Sequence, residues 1–122
     1  MTLPILLVDD DRDTCAVVAT LLRAWHYNVD TANDGPAALQ LVDKKPYALA
    51  VIDYRMPGMN GVDLFREMRE RQPDITGIFM TGYTTIDVVF PAIESGILRV
   101  LTKPVDFNEL KPIIEEHVGV PA

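Results

Sequence analysis

One short apolar run ends in a carboxylate and a tight turn: Ala48-Leu49-Ala50-Val51-Ile52-Asp53-Tyr54-Arg55-Met56-Pro57-Gly58. The run is rich in aliphatic residues and bounded by turn residues, which predicts a buried strand of a parallel sheet covered on both faces. Asp53 then lies at the carboxyl end of that strand. Because ligands of open α/β sheets bind outside those strand ends, Asp53 is a candidate for chemistry rather than for packing.

The composition is typical of a single folded domain, with 122 residues of which 48% are hydrophobic and 24% charged. No run approaches the roughly 20 apolar residues needed to cross a bilayer, and the acidic start does not resemble a signal peptide. A soluble, cytoplasmic protein without membrane contact is therefore expected. The single cysteine, Cys15, cannot form an internal disulfide, which agrees with a reducing compartment. The net charge of −7 argues against direct contact with nucleic acid.

Hydrophobic periodicity predicts further strands and helices in strict alternation. The other predicted strands cover residues 3–8, 28–31, 75–80 and 97–101. The predicted buried face of the first helix consists of Thr14, Val17, Val18, Leu21, Leu22 and Trp25, and that of the second of Ala38, Leu39 and Val42. The third helix is capped by Asn60 or Gly61 and places Val62, Phe65, Met68 and Arg69 in alternation with charged residues, and the last two cover residues 85–95 and 106–118. Pro91 and Pro112 fall inside these last two helices and should kink or shorten them.

Alternating strands and helices imply a parallel sheet with right-handed crossovers and helices on both faces. The carboxyl ends of the strands then bring a set of polar side chains to one edge, namely Asp9, Asp10, Asp53, Thr81 and Lys103. Carboxylates placed so close together repel one another unless a cation or shared protons offset the charge. Ligation by carboxylate oxygens alone suits Mg²⁺, and a carboxylate such as Asp53 can be phosphorylated covalently.

Each of these signals also has a plainer interpretation. Residues 9–13 could be the solvated acidic start of a helix, since Asp favours a helix N-terminus. Asp53 could be a turn residue, and Thr81 and Lys103 could be ordinary surface polar groups. The convergence of all of them on one edge of the sheet favours the functional interpretation.

Four motifs resemble those of the receiver domain of bacterial two-component response regulators. They are Val8-Asp9-Asp10, Asp53-Tyr54-Arg55-Met56-Pro57-Gly58-Met59-Asn60-Gly61, Met80-Thr81-Gly82 and Leu101-Thr102-Lys103-Pro104. The resemblance covers essentially the whole chain, so residues 1–119 would form the receiver domain and 120–122 a tail or the start of a linker. The separations of 28 residues from Asp53 to Thr81 and 50 from Asp53 to Lys103 are typical of the family. The implied fold is a flavodoxin-like (βα)5 doubly wound parallel sheet of strand order 2-1-3-4-5.

The resemblance also implies the roles of the acidic residues. Asp53 would accept a phosphoryl group from a phosphohistidine on a sensor histidine kinase or a phosphotransfer protein. Asp10, Asp53 and the backbone carbonyl of Arg55 would ligate Mg²⁺, and Asp9 would act mainly through a bound water.

Thr81 would hydrogen-bond a phosphoryl oxygen, and Lys103 would pair first with Asp53 and then with the phosphoryl group. Pro104 would follow a cis peptide bond. Such a domain is not an enzyme in the usual sense, because it catalyses only its own phosphorylation and slow self-dephosphorylation. Phosphorylation would switch its conformation to control an output domain or a partner protein, and a phosphorylation-dependent dimer is a further expectation.

Some positions depart from the family pattern. Val100 stands where most receivers carry Tyr or Phe, and Pro91 and Pro112 fall in helices that contribute to the usual dimerisation and docking face. We therefore hypothesise that Tyr83 takes over the signalling motion. The departures also favour an alternative, a degenerate receiver that binds proteins independently of phosphorylation. A phosphatase of the haloacid dehalogenase type ranks third, because its nucleophile follows the first strand and its core needs a longer chain.

Overall fold

The computed structural model describes residues 3–82 and 86–120, and in these residues five strands alternate with five helices. The strands are β1 (Ile5–Val8), β2 (Val29–Ala32), β3 (Leu49–Asp53), β4 (Thr76–Thr81) and β5 (Arg99–Thr102). The helices are α1 (Arg12–Ala24), α2 (Gly35–Lys44), α3 (Gly61–Arg71), α4 (Ile86–Glu94) and α5 (Phe107–His117). All strand pairs are parallel and the order is β2-β1-β3-β4-β5. The predicted fold class and strand order are confirmed.

The sheet is covered on both faces, and this explains why its inner strands are apolar throughout. Every residue of β1 and β3 is buried. Successive residues of a strand point to opposite faces, so Ile5 and Leu7 pack with α1 and α5, whereas Leu6 and Val8 pack with α2 and α3. An alternating pattern of polar and apolar residues is absent from these strands because neither face meets water.

Four helices begin with a side chain that caps their free backbone N–H groups. The capping residues are Asp11 for α1, Asp34 for α2, Asn60 for α3 and Asp106 for α5. Each side-chain oxygen accepts a hydrogen bond from a backbone N–H in the first turn, as is usual at a helix N-terminus. The predicted starts of α3 and α5 are thus confirmed, and the loops after the strands are held by short local contacts.

The predicted buried face of α1 is partly wrong. The buried residues are Cys15, Val18, Ala19 and Leu22, while the side chain of Val17 is 63% exposed. These buried positions follow the i, i+3, i+4, i+7 spacing of one helix face. The predicted face was displaced around the helix toward Val17, because the prediction favoured large apolar residues and gave no weight to the small Cys15 and Ala19. Cys15 and Ala19 pack in the same buried cluster as Ile5 and Leu7 of β1, which a pattern of large apolar residues does not reveal.

The other helices match the predictions more closely. In α3 the buried face includes Leu64 as well as Val62, Phe65 and Met68, whereas Arg69 is exposed. Helix α4 ends at Glu94, one residue earlier than predicted, and its predicted start at residue 85 lies outside the described residues. Gly96 follows with a φ of 86°, in the left-handed region that commonly ends a helix. Both α4 and α5 continue past their internal prolines, Pro91 and Pro112.

Gly77 in β4 allows the sheet and α3 to pack closely, and this generates a prediction. A Cβ at this position would overlap the ring of Phe65 and lie 2.7 Å from Ile97 Cδ1. We expect Gly77→Ala to lower the free energy of unfolding by about 1 to 3 kcal/mol, because a filled core has to shift to admit a methyl group. Urea unfolding followed by circular dichroism measures the change.

Gly82→Ala is the matched control, because nothing lies within 4 Å of the Cβ position of Gly82. Its stability should stay within about 0.5 kcal/mol of the wild type. Equal unfolding midpoints for the Gly77 variant and the wild type would contradict the close packing of β4 on α3.

Candidate functional site

Three carboxylates meet where β1 and β3 end. Asp9 and Asp10 follow β1, and Asp53 is the last residue of β3, which is hydrogen-bonded between β1 and β4. One oxygen from each of the three side chains lies within 4.8 Å of the others. Asp9 and Asp53 are buried, at 0% and 6% exposed, whereas Asp10 is exposed. The predicted convergence of acidic groups is therefore present.

Every polar group of Asp9 has a partner, so its orientation is fixed. Its backbone N–H donates to the Ala32 carbonyl at 3.1 Å, and its own carbonyl accepts from Asn33 Nδ2 at 2.9 Å. The side-chain Oδ1 accepts from the backbone N–H of Asp11 at 2.9 Å, and Oδ2 accepts from Lys103 Nζ at 3.1 Å. Asp11 itself caps α1, so the interpretation as a helix start holds for Asp11, while Asp9 is directed into the site.

Lys103 brings a positive charge to the carboxylates from the end of β5, the edge strand of the sheet. It follows β5, and its Nζ lies 3.1 Å from Asp9 Oδ2 and 3.3 Å from Asp53 Oδ2. Its backbone N–H donates to the carbonyl of Thr81 at 2.8 Å, which fixes the strand end from which the side chain extends. The Lys103–Pro104 peptide bond is cis, as the resemblance implied.

The electrostatics of the site are those of crowded, dry carboxylates. Burial, a hydrogen bond with Asp10 and the charge of Asp9 raise the pKa of Asp53 from 3.8 to about 7, against the opposing effect of Lys103. Burial alone would lower the pKa of Lys103, but Asp9 and Asp53 outweigh it and hold that pKa above its usual value. The ammonium group thus stays charged, and Asp53 is partly protonated at neutral pH.

The other predicted site residues belong to neighbouring strand ends. Thr81 is the last residue of β4, is 2% exposed and is paired in register with Thr102 of β5. Arg55 is exposed in the loop that follows β3, two residues after Asp53. Tyr83, the hypothetical signalling residue, lies outside the described residues. Val100 is half-buried and packs against the core cluster on the α2 and α3 side of the sheet.

The donor set suits a hard cation. Among the described residues, Asp9, Asp10 and Asp53 form a group whose ligand atoms could hold a metal ion, and all these atoms are carboxylate oxygens. Mg²⁺ prefers such oxygens, and the exposure of Asp10 leaves room for the water ligands that Mg²⁺ usually keeps. A cation here would disfavour protonation of Asp53 and relieve the repulsion between the carboxylates.

Two features of the site were missed in the sequence. Asn33 was interpreted only as a turn residue, yet its amide holds the backbone of Asp9. An apolar groove of about 560 Å³ also adjoins Lys103, and the exposed Val17 is one of its lining residues. The groove is lined by Asp13, Thr14, Val17, Val18, Lys103, Pro104, Val105 and Phe107. A polar Asn after a predicted strand end and an extra Val on a helix are weak signals, because both are common in ordinary loops and helices.

Within the part of the chain that the structure describes, none of the helices has the length and hydrophobicity required to span a membrane.

Comparison with known proteins identifies the family. The sequence model of the response regulator receiver domain matches residues 5–115. The transcriptional regulatory protein ZraR of Klebsiella oxytoca is 39% identical over 115 residues, which are 94% of this chain and 26% of ZraR. The photosynthetic apparatus regulatory protein RegA of Cereibacter sphaeroides is 33% identical over 106 residues, 87% of this chain and 58% of RegA. The chain thus spans about a quarter of ZraR and somewhat more than half of RegA.

Solved structures agree with the sequence comparison. The signal receiver domain of an HD domain-containing protein from Pseudomonas fluorescens Pf-5 is 30% identical, with a TM-score of 0.90 over 96% of this chain and 94% of that one. A CheY-like receiver domain from Methanospirillum hungatei JF-1 is 26% identical, with a TM-score of 0.89 over 95% of this chain and 93% of that one. Since sequence, fold and the acidic cluster with its lysine all agree, the chain belongs to the family of response regulator receiver domains.

Proposed function

We propose that this chain is the phosphoacceptor of a two-component system and that Asp53 accepts the phosphoryl group. The observation that carries the proposal is the position of Asp53, buried at the end of β3 with Lys103 Nζ 3.3 Å from its Oδ2 and two further aspartates beside it. In this proposal residues 1–119 form the receiver domain and residues 120–122 a tail or the start of a linker. The phosphodonor is a phosphohistidine on a sensor histidine kinase or a phosphotransfer protein.

The reaction moves one phosphoryl group between two side chains. A carboxylate oxygen of Asp53 attacks phosphorus, the new O–P bond forms and the P–N bond breaks, and the histidine leaves as neutral imidazole because its other ring nitrogen already carries a proton. Lys103 stabilises the negative charge on the phosphoryl oxygens, and the Thr81 hydroxyl donates a hydrogen bond to one of them. Attack of water on the acyl phosphate later restores Asp53 and releases inorganic phosphate, so the domain catalyses only its own phosphorylation and its slow self-dephosphorylation.

Mg²⁺ is the proposed cofactor, because the carboxylate oxygens present fit it. Asp10, Asp53 and the backbone carbonyl of Arg55 would ligate the ion, and Asp9 would act through a bound water. When bound, the ion supplies positive charge that offsets the carboxylates and the incoming phosphoryl oxygens.

Phosphorylation is proposed to change the conformation of the domain and so to control an output domain or a partner protein, with dimerisation as one further outcome. The second candidate is a degenerate receiver that binds its partner without phosphorylation. The half-buried aliphatic Val100 favours it, because an aromatic ring that could turn inward is absent at that position. Binding of a partner with equal affinity before and after phosphorylation would identify this second case.

The acceptor residue is tested directly by intact mass. Incubation with acetyl phosphate and Mg²⁺ should add a single phosphoryl group to the wild type, because Asp53 is the proposed nucleophile. Asp53→Asn, or excess chelator, should abolish the adduct. The exposed Asp74→Asn is the matched control and should be phosphorylated like the wild type. An unmodified wild type that also fails to bind beryllium fluoride would favour the degenerate receiver.

The raised pKa of Asp53 predicts an unusual dependence of stability on pH in the absence of metal. Between about pH 4 and pH 7 the folded state holds a proton that the unfolded state has lost, so this group makes stability fall as pH rises. Asp53→Asn removes the effect and should be more stable than the wild type at pH 8, with the difference vanishing near pH 3.5.

Chemical unfolding at a series of pH values with chelator present measures this difference, whose slope cannot exceed about 1.4 kcal/mol per pH unit for one proton. Mg²⁺ should stabilise the wild type at pH 8 far more than it stabilises the variant. A difference between the two proteins that does not change with pH would contradict the assigned protonation of the site.

The apolar groove beside Lys103 supports a protein, rather than a small molecule, as the natural phosphodonor. Its wall carries Val17, whose side chain is 63% exposed although it is apolar. A protein that delivers a histidine to Asp53 would cover this wall. The sensor kinase that phosphorylates the chain is first identified by phosphotransfer profiling. Val17→Asp should then slow phosphoryl transfer from this kinase by about tenfold or more, since a buried unpaired charge is unfavourable.

Phosphorylation of Val17→Asp by acetyl phosphate should proceed at the wild-type rate, because that donor does not need the groove. Val120→Asp is the matched control, since Val120 is 70% exposed and lines a different cavity near Trp25. Equal transfer rates for the two variants and the wild type would exclude the groove as the donor's contact surface.

A further inference from the structure

Residues 33–35, where β2 leads into α2, contact both the loop that carries Asp9 and Asp10 and the loop that follows Asp53. On one side Asn33 Nδ2 donates a hydrogen bond of 2.9 Å to the backbone carbonyl of Asp9. This bond joins residues 24 positions apart in the chain and is partly buried. It is therefore a tertiary contact to the acidic loop and not a local feature of the turn.

The bond matters because it completes the fixation of the Asp9 backbone. The N–H of Asp9 is already bonded to Ala32, and the Asn33 amide occupies the carbonyl of the same residue. The direction of the peptide group between Asp9 and Asp10 is set by this carbonyl. The next side chain, Asp10, is exposed and extends from this peptide group to hydrogen-bond with Asp53.

On its other side the same loop supports the loop that follows β3. Met59 lies over Gly35 so closely that a Cβ on Gly35 would be 2.8 Å from Met59 Sδ and 3.3 Å from Met59 Cβ. Asp34, between Asn33 and Gly35, caps α2 by accepting from the N–H of Ala37 at 2.7 Å, which anchors the loop to a helix. The absence of a side chain on Gly35 allows the β3–α3 loop to rest there.

We propose that Asn33 and the Met59–Gly35 contact are positioning elements that set the separation of the two ligand-bearing loops and thereby the affinity for Mg²⁺. Asn33 orients the Asp9–Asp10 peptide, and Met59 holds the loop that contains Arg55. Neither side chain touches the metal in this inference, which rests on the proposed function for the identity of the ion. Residues that orient the ligands of a metal typically change its affinity by about 10- to 100-fold when they are lost.

The test compares Asn33→Ala with Asn28→Ala. Asn28 immediately precedes β2, whereas Asn33 immediately follows it, so Asn28 lies at the opposite end of the strand from the site. Its side chain is exposed, and Asn28→Ala is the same substitution at a distant position. The apparent dissociation constant for Mg²⁺ is measured from the rise of the melting temperature with Mg²⁺ concentration, so it does not depend on phosphorylation. The rate of phosphorylation by acetyl phosphate is then measured over the same concentrations.

Asn33→Ala should weaken Mg²⁺ binding by about tenfold, and saturating Mg²⁺ should restore most of the phosphorylation rate, because Asn33 acts through the ligands. Asn28→Ala should match the wild type in both measurements. A purely structural role would lower the melting temperature without metal and leave the Mg²⁺ midpoint unchanged. That result would overturn the inference for Asn33.

A second pair of variants tests the other contact without altering the acidic loop, and it remains informative if Asn33→Ala does not fold. Met59→Ala should weaken Mg²⁺ binding, whereas Met59→Leu, which keeps most of the volume over Gly35, should restore it. Equal Mg²⁺ midpoints for Met59→Ala and the wild type would overturn this half of the inference.

The outcomes also separate this inference from the proposed function. A wild type that binds Mg²⁺ but gains no phosphoryl group would contradict the phosphoacceptor proposal and leave the positioning roles to be judged by the Mg²⁺ midpoints. A wild type that does not bind Mg²⁺ at all would overturn both.

Discussion

A single ammonium group lies between two buried carboxylates, and the arrangement of the sheet makes this possible. Asp9 and Asp53 are nearly inaccessible to water, and Lys103 Nζ lies within 3.3 Å of an oxygen of each. Without this charge the two anions would strongly disfavour the folded state, because repulsion is poorly screened where water is excluded. Lys103 follows β5, which lies beyond β4 in the sheet. The order β1-β3-β4-β5 is therefore needed to bring the three groups together.

The compensation is incomplete, and this shapes the proposed chemistry. One positive charge faces three carboxylates, and burial together with the neighbouring carboxylates raises the pKa of Asp53 to about 7, which favours a proton on that group below neutral pH. A divalent cation could replace that proton and leave Asp53 ionised, which is the state that can attack phosphorus. In this view the carboxylates destabilise the folded domain in the absence of metal. Binding of Mg²⁺ and then of a phosphoryl group changes the balance between their repulsion and the positive charge of the site. The proposed effect of Asn33 and Met59 on metal affinity acts on the same balance.

The errors of the sequence analysis have a common physical origin. Val17 was expected in the core but lines a groove beside Lys103, and Cys15 and Ala19 are buried instead. Periodicity identifies that a helix has an apolar face, but the residues that are buried depend on how the helix is rotated against the sheet. Asn33 was likewise treated as a turn residue, because the partner of its amide is 24 residues away. Contacts of this kind follow from the meeting of loops and leave no pattern along the chain.

The sequence by itself determined the alternation of strands and helices, the parallel sheet and the set of polar residues at its carboxyl edge, since these follow from local periodicity, turn residues and strand polarity. Only the tertiary structure decided which of these residues touch. It set the distances from Lys103 to Asp9 and Asp53, separated the capping role of Asp11 from the buried position of Asp9, and joined Asn33 to the acidic loop. The reason is that a strand end fixes where a side chain begins, whereas its contacts depend on the register of neighbouring strands and the paths of the loops between them.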